Sequence, residues 1–82
     1  MIDRNEIRRV VIRELEDFAP DYVGRIEEHH RLLTDLKLTG DDASIFALQS
    51  ARRLRITVPI REWRTVTTVG DAIALLAAHA PT

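Results

Sequence analysis

The sequence predicts an all-α domain of four helices with a long first loop and a short third helix. Three observations predict this class. Apolar residues recur at helical spacing in three segments, and glycine and proline occur only three times each. An apolar fraction of 45% indicates an ordered chain with a core rather than a linker. At 82 residues, we expect a single domain that spans residues 1–82.

The first helix is predicted over residues 4–18. Asp3 is a candidate N-cap, because Glu6 follows it by three residues as in a capping box. Pro20 indicates the end, since proline disfavours helical geometry in the residue before it. The apolar residues at helical spacing are Ile7, Val10, Val11, Leu15 and Phe18.

Residues 19–38 form a long connection for so small a domain, so we expect the segment to be held against the core. Tyr22, Val23 and Ile26 are predicted to form a short amphipathic turn, which Gly24 weakens. The residues expected to hold the loop in place are Leu32, Leu33, Leu36 and Leu38.

The second helix is predicted over residues 42–54, with Asp41 or Asp42 as its N-cap. At about 100° per residue, the apolar face consists of Ala43, Phe46, Ala47, Ser50, Ala51 and Leu54. Leu48 lies at the margin of this face. The opposite face carries Ile45, Gln49 and Arg52.

A short third helix is predicted over residues 60–64, with Trp63 as its core anchor. The last helix is predicted over residues 69–79. Thr68 is its N-cap, and Asp71 follows three residues later as in a capping box with a shorter side chain. The residues of this helix that face inward are Ala72, Ile73, Leu76 and Ala77.

The composition excludes several classes of protein. The chain has no cysteine, which excludes disulfides and cysteine-based zinc sites. The apolar runs are far shorter than the roughly 20 residues of a membrane span, and charged residues follow Met1 closely, so we expect a cytoplasmic protein without a signal peptide. A net charge of -1 provides no overall attraction to nucleic acid or membranes.

No metal site is predicted. His29 and His30 are adjacent, and adjacent residues of a helix point about 100° apart, so they do not chelate as an i, i+4 pair does. Asp35, Asp41 and Asp42 are too few and too widely spaced for a calcium loop.

No catalytic residue is predicted, and we do not expect an enzyme. Ser44 and Ser50 are the only serines, and no histidine lies near them in sequence. A small helical chain has little room for a catalytic triad together with an oxyanion hole and a substrate pocket.

A small nucleic-acid-binding bundle is one alternative, because arginines concentrate near the third helix. They are Arg52, Arg53, Arg55, Arg61 and Arg64, opposed only by Glu62. They cannot all share one helical face, and recognition of DNA by a helix is typical of a more positive chain.

Residues 32–78 resemble an acyl carrier protein. The run I-T-V-P at 56–59, followed by six residues and then V-T-T-V-G-D-A-I at 66–73, is similar to the family's I-x-I-P, six residues, I-T-T-V-x-D-A-I. Upstream, D-L-K-L at 35–38 resembles the run that precedes the family's D-S-L motif. The resemblance implies a four-helix bundle of acyl-carrier type.

In that family the serine of D-S-L opens the second helix and carries a 4′-phosphopantetheine arm. The same register puts T-G-D, residues 39–41, at this motif, so Gly40 stands where the serine would be. Glycine has no hydroxyl to receive the arm, and therefore no cofactor is expected. The form T-G-D-D-A also resembles acyl-carrier-like proteins of uncertain role that have G-D-D-A at this point.

A second register leaves the arm possible. Ser44 and the residues after it resemble the D-S-I run of peptidyl carrier domains, and Ser44 would then carry 4′-phosphopantetheine. That register shortens the distance to Pro59 from nineteen residues to fifteen, which removes about one helical turn.

The resemblance also implies a docking surface on the second helix. Carrier proteins are typically acidic along it, whereas Ile45 occupies the position of a frequently acidic docking residue here. We expect a monomeric, non-catalytic docking module related to fatty-acid, polyketide or peptide biosynthesis, whose protein partner is a synthase or ligase. The candidate docking residues are Asp41, Asp42, Ile45, Gln49 and Arg52.

Overall fold

A computed structural model describes residues 2–81. Its three α-helices are α1 (Arg4–Phe18), α2 (Gly40–Leu54) and α3 (Val69–His79), and its two 3-10 helices are Pro20–Tyr22 and Ile60–Thr65. Within the described residues the only β-type pairing is an isolated bridge between Arg31 and Thr68. The all-α class predicted from the sequence is confirmed.

Helix α1 begins and ends where the sequence predicts. The Asp3 carboxylate accepts a hydrogen bond of 2.8 Å from the Glu6 backbone N–H, which satisfies a donor of the first turn. Ile7, Val11 and Leu15 are buried and face both α2 and α3, while Val10 and Phe18 are half-buried. One buried residue was not predicted: Glu14, which forms an ion pair with Arg53 of α2.

The long connection is held in place largely as expected, with two exceptions. Its buried residues are Ala19, Ile26, Leu32, Leu36 and Leu38. Leu33 is 56% exposed, so its predicted role in the core is wrong. The turn at Pro20–Tyr22 ends before Val23, which is 58% exposed, and Gly24 follows with a left-handed φ of 79°.

Backbone hydrogen bonds tie the connection to the start of α3. The N–H of Leu32 donates to the carbonyl of Thr67 at 3.0 Å. The N–H of Val69 donates to His30 at 3.0 Å, and that of Gly70 donates to Glu28 at 2.8 Å. The bonds from Val69 and Gly70 satisfy donors that the first turn of a helix otherwise leaves unpaired, so the loop and α3 form one unit.

Helix α2 begins at Gly40, two residues before the predicted start. The prediction of Asp41 or Asp42 as its N-cap is wrong, because the Thr39 hydroxyl accepts the hydrogen bond from the Asp42 N–H at 3.0 Å. The two aspartates instead occupy the first turn, where negative charge favours the helix dipole. The helix ends at Leu54, and its C-cap Arg55 is left-handed with φ 55°.

The third predicted helix is present as a 3-10 helix, Ile60–Thr65. Trp63 is half-buried and packs edge to face on the fully buried Phe46, with ring centroids 6.3 Å apart. Helix α3 has the predicted bounds and the predicted capping box of Thr68 and Asp71. The residues that α3 buries are Val69, Ala72, Ile73 and Leu76.

Candidate docking surface and the start of helix α2

Gly40 is the first residue of α2 and is exposed to solvent. A Cβ atom added at this position would meet no other heavy atom within 4 Å. Its φ is not in the left-handed region, since the only glycine with positive φ among the described residues is Gly24. Neither space nor backbone geometry therefore requires glycine at position 40.

Ser44 lies one turn into α2, and its side chain is exposed. Its hydroxyl donates a hydrogen bond of 3.2 Å to the Gly40 carbonyl, as serine often does within a helix. The Ser44 hydroxyl is therefore hydrogen-bonded within its own helix. The residue also borders an apolar cleft, so a group attached to Ser44 would start at the rim of that cleft.

The cleft lies between α2 and the 3-10 helix Ile60–Thr65 and has a volume of 510 Å³. Its walls are mainly apolar, and its polar side chains are Ser44 and Arg64. The remaining lining residues are Leu32, Ala43, Phe46, Ala47, Leu48, Ala51, Val58, Ile60, Trp63 and Val66. A cleft of this size and composition is suited to an apolar ligand or side chain.

The predicted docking residues lie together on the solvent side of α2. Asp41, Gln49 and Arg52 are exposed, Ile45 is 45% exposed, and Asp42 is half-buried.

The apolar part of this surface is larger than the sequence predicts. Leu48, predicted at the margin of the buried face, is 57% exposed beside Ile45. Ile60, which borders the same cleft as Leu48, is 77% exposed. No pattern within α2 identifies this exposure, because it depends on how closely the following segment covers the helix.

The arginine cluster does not form one basic surface. Arg53 is directed toward α1, where it pairs with Glu14, a residue that is only 3% exposed. Arg52 points about 100° away from Arg53, toward solvent, and Arg64 borders the cleft. Burying a carboxylate is costly unless it is paired, so the contact of Arg53 serves the fold.

A group of possible metal ligands occurs in the long connection. Donor atoms of Glu27, His29 and His30 lie within 4.8 Å of one another. The prediction of His29 and His30 as helical neighbours is wrong, because this segment is a turn and brings their rings to a centroid distance of 4.6 Å. Nδ1 of His30 already accepts a hydrogen bond of 3.0 Å from the Glu27 N–H, so in the neutral ring Nε2 carries the proton and offers no lone pair.

The acids with a perturbed pKa lie at the junction of α1, the long connection and α3, away from the start of α2. A two-pronged hydrogen bond from the Arg4 guanidinium, at 2.7 and 3.2 Å, lowers the pKa of the Glu28 carboxyl. The backbone N–H groups of Thr68 and Thr67 lower the pKa of Asp71, whose carboxylate accepts both at 3.1 Å.

None of the helices in residues 2–81 has the length and apolar composition that a membrane span requires. Comparisons with models of protein families, with curated proteins and with solved structures found no match.

Proposed function

We propose that this chain is an acyl-carrier-like docking module without a phosphopantetheine arm. Gly40 is the observation that carries the proposal. It opens α2, the position at which the resembling family bears its attachment serine, and it is exposed with open space around it. The missing hydroxyl is therefore not a consequence of packing, and the surface around it remains open to another protein.

Docking is proposed through the solvent side of α2, with a synthase or ligase of fatty-acid, polyketide or peptide biosynthesis as the partner, in the cytoplasm. Asp41 and Asp42 supply negative charge at the start of the helix, and Arg52 supplies positive charge near its end. Ile45 and Gln49 lie between them. Charge complementarity governs which partners associate and how fast, so this mixed surface selects partners other than those of a uniformly acidic helix.

The second candidate is a working carrier modified at Ser44. The exposed hydroxyl and its place at the rim of the apolar cleft favour it. The hydrogen bond from this hydroxyl to the Gly40 carbonyl and the position one turn inside α2 count against it. Nucleic-acid binding is not proposed, because Arg53 is paired with Glu14 of α1 and Arg52 points about 100° away from it.

The intact mass of the chain after co-expression with a broadly specific phosphopantetheinyl transferase separates the two candidates. We expect the wild-type chain to keep the mass of the unmodified polypeptide. If one arm is added to the wild-type chain and is lost in Ser44→Ala, the second candidate replaces the first.

A further inference from the structure

The outer face of α2 carries an apolar centre with an acid at one end and a base at the other. Asp41, Ile45, Leu48 and Arg52 lie within about 60° of arc, because successive residues of a helix rotate by about 100°. All four are exposed, with Ile45 at 45% and Leu48 at 57%. In residues 2–81, neither Asp41 nor Arg52 takes part in an ion pair.

The spacing of these four residues is symmetric. Asp41 precedes Ile45 by four residues, and Arg52 follows Leu48 by four. A second α2 laid antiparallel, with a two-fold axis between Ile45 and Leu48, places Asp41 opposite Arg52 of the second copy. The same operation places Ile45 opposite Leu48, and each pair occurs twice, as in any two-fold interface.

The charges select this antiparallel arrangement over a parallel one. A parallel two-fold pair would set Asp41 beside Asp41 and Arg52 beside Arg52, which is repulsive at both ends. In the antiparallel pair both ends are attractive, and the charged groups lie about 16 Å apart along each helix, on either side of the apolar centre.

We infer that a second copy of this chain covers the outer face of α2 in a two-fold, antiparallel helix pair. A monomer is expected from the sequence, which places Leu48 at the margin of the buried face; in the structure Leu48 is 57% exposed and available for contact. A single helix pair is small for an interface, so the dimer is weak and depends on concentration.

Self-association needs only the geometry of this face and holds whether or not the chain docks onto a synthase or ligase. It would cover Ile45 and Arg52, which also belong to the proposed docking surface. Dimer formation therefore competes with any partner that binds there.

Sedimentation equilibrium of the full chain tests the inference first. Between roughly 10 µM and 1 mM, we expect the weight-average mass to rise from 9.4 kDa toward twice that value. A mass that stays at 9.4 kDa across this range overturns the inference.

Charge reversal tests the arrangement. Asp41→Arg alone and Arg52→Asp alone each set like charges opposite one another at both ends, so each weakens association by about tenfold or more. An equimolar mixture of the two variants restores two attractive pairs, and we expect it to form a heterodimer. A mixture whose mass does not exceed that of either variant alone contradicts the antiparallel pair.

A matched apolar pair serves as the control. Leu48→Glu places a charge at the centre of the proposed interface, whereas Val23→Glu changes a side chain of almost equal exposure (58%) outside α2. We expect dimerisation to be lost in Leu48→Glu and retained in Val23→Glu, with circular dichroism confirming that all variants are folded. Equal behaviour of these two variants overturns the inference.

Discussion

Helices α2 and α3 both begin after a threonine N-cap, but their first turns differ in what surrounds them. The hydroxyls of Thr39 and Thr68 each accept a bond from the N–H of an aspartate three residues later, at 3.0 and 3.1 Å. In α3 that aspartate, Asp71, also accepts bonds from the backbone. Within the described residues, the corresponding Asp42 makes no such return bond.

The glycines of the two first turns also differ in how closely other atoms surround them. The N–H of Gly70 donates to the Glu28 carbonyl, and a Cβ atom at Gly70 would lie 3.2 Å from that oxygen. A Cβ atom at Gly40 would meet nothing within 4 Å. The close surroundings of Gly70 thus favour a residue without a side chain at the start of α3, whereas nothing in the packing explains Gly40 at the start of α2. A sequence that folding does not explain is the better candidate for function.

The largest expected loss of stability concerns the aspartates of the two turns. Asp71→Ala removes the acceptor of two backbone N–H groups, so we expect a loss of about 1–2 kcal/mol in the free energy of unfolding. Asp42→Ala removes only a favourable charge near the helix dipole, worth about 0.3–0.5 kcal/mol. Urea unfolding of both variants measures these losses. Equal losses would contradict the proposed difference between the two first turns.

Replacing each glycine by alanine should change the free energy of unfolding in opposite directions. Gly40→Ala is expected to raise the free energy of unfolding by about 0.4–1 kcal/mol, because it restricts the unfolded chain without strain in the folded one. Gly70→Ala is expected to lower the free energy of unfolding by about 1 kcal/mol. The hydrogen bond from the Gly70 N–H holds the Glu28 carbonyl oxygen in place, close to the added Cβ atom. Thermal unfolding followed by circular dichroism measures both, and stabilisation by Gly70→Ala would contradict this account.

The smallest expected effect is a pH dependence confined to the α3 side. Glu28 and Asp71 have a pKa below their ordinary values of 4.5 and 3.8, so the unfolded chain takes up protons first as pH falls. The stability that these carboxylates provide is complete above about pH 4.5 and is lost progressively below it. The effect is small because Arg4 is exposed and Glu28 is only half-buried, so solvent screens their ion pair.

The variant Glu28→Gln isolates this effect. Its free energy of unfolding should fall below that of the wild type at pH 7, and the difference should shrink between pH 4.5 and more acidic conditions. A difference that is independent of pH would show that the Arg4 contact contributes nothing through the charge of Glu28.

The helices were predictable because their signals are local. Asp3, Thr68 and Asp71 act within one turn, and Pro20 limits α1 directly. The N-cap of α2 was missed because three candidates, Thr39, Asp41 and Asp42, occur within four residues.

Features that depend on two segments meeting were not predictable. The pattern of α1 predicts that Glu14 is exposed, and only the contact with Arg53 explains its burial. The exposure of Leu33 and Leu48 is likewise set by which neighbours cover them. The start of α2 was predicted to within two residues, but the apolar centre of its outer face appears only in the folded chain.

The central claim is that α2 begins as in a carrier but lacks the group that would bear the arm. The most direct test compares the wild type with Gly40→Ser/Ile45→Glu, which restores both the hydroxyl and the acidic docking residue implied by the family resemblance. Gly40→Ala/Ile45→Glu is the matched control without a hydroxyl. All three chains would be co-expressed with a phosphopantetheinyl transferase, and their intact masses measured. We predict that only the serine variant gains one arm; an arm on the wild-type chain, or none on the serine variant, would contradict the claim.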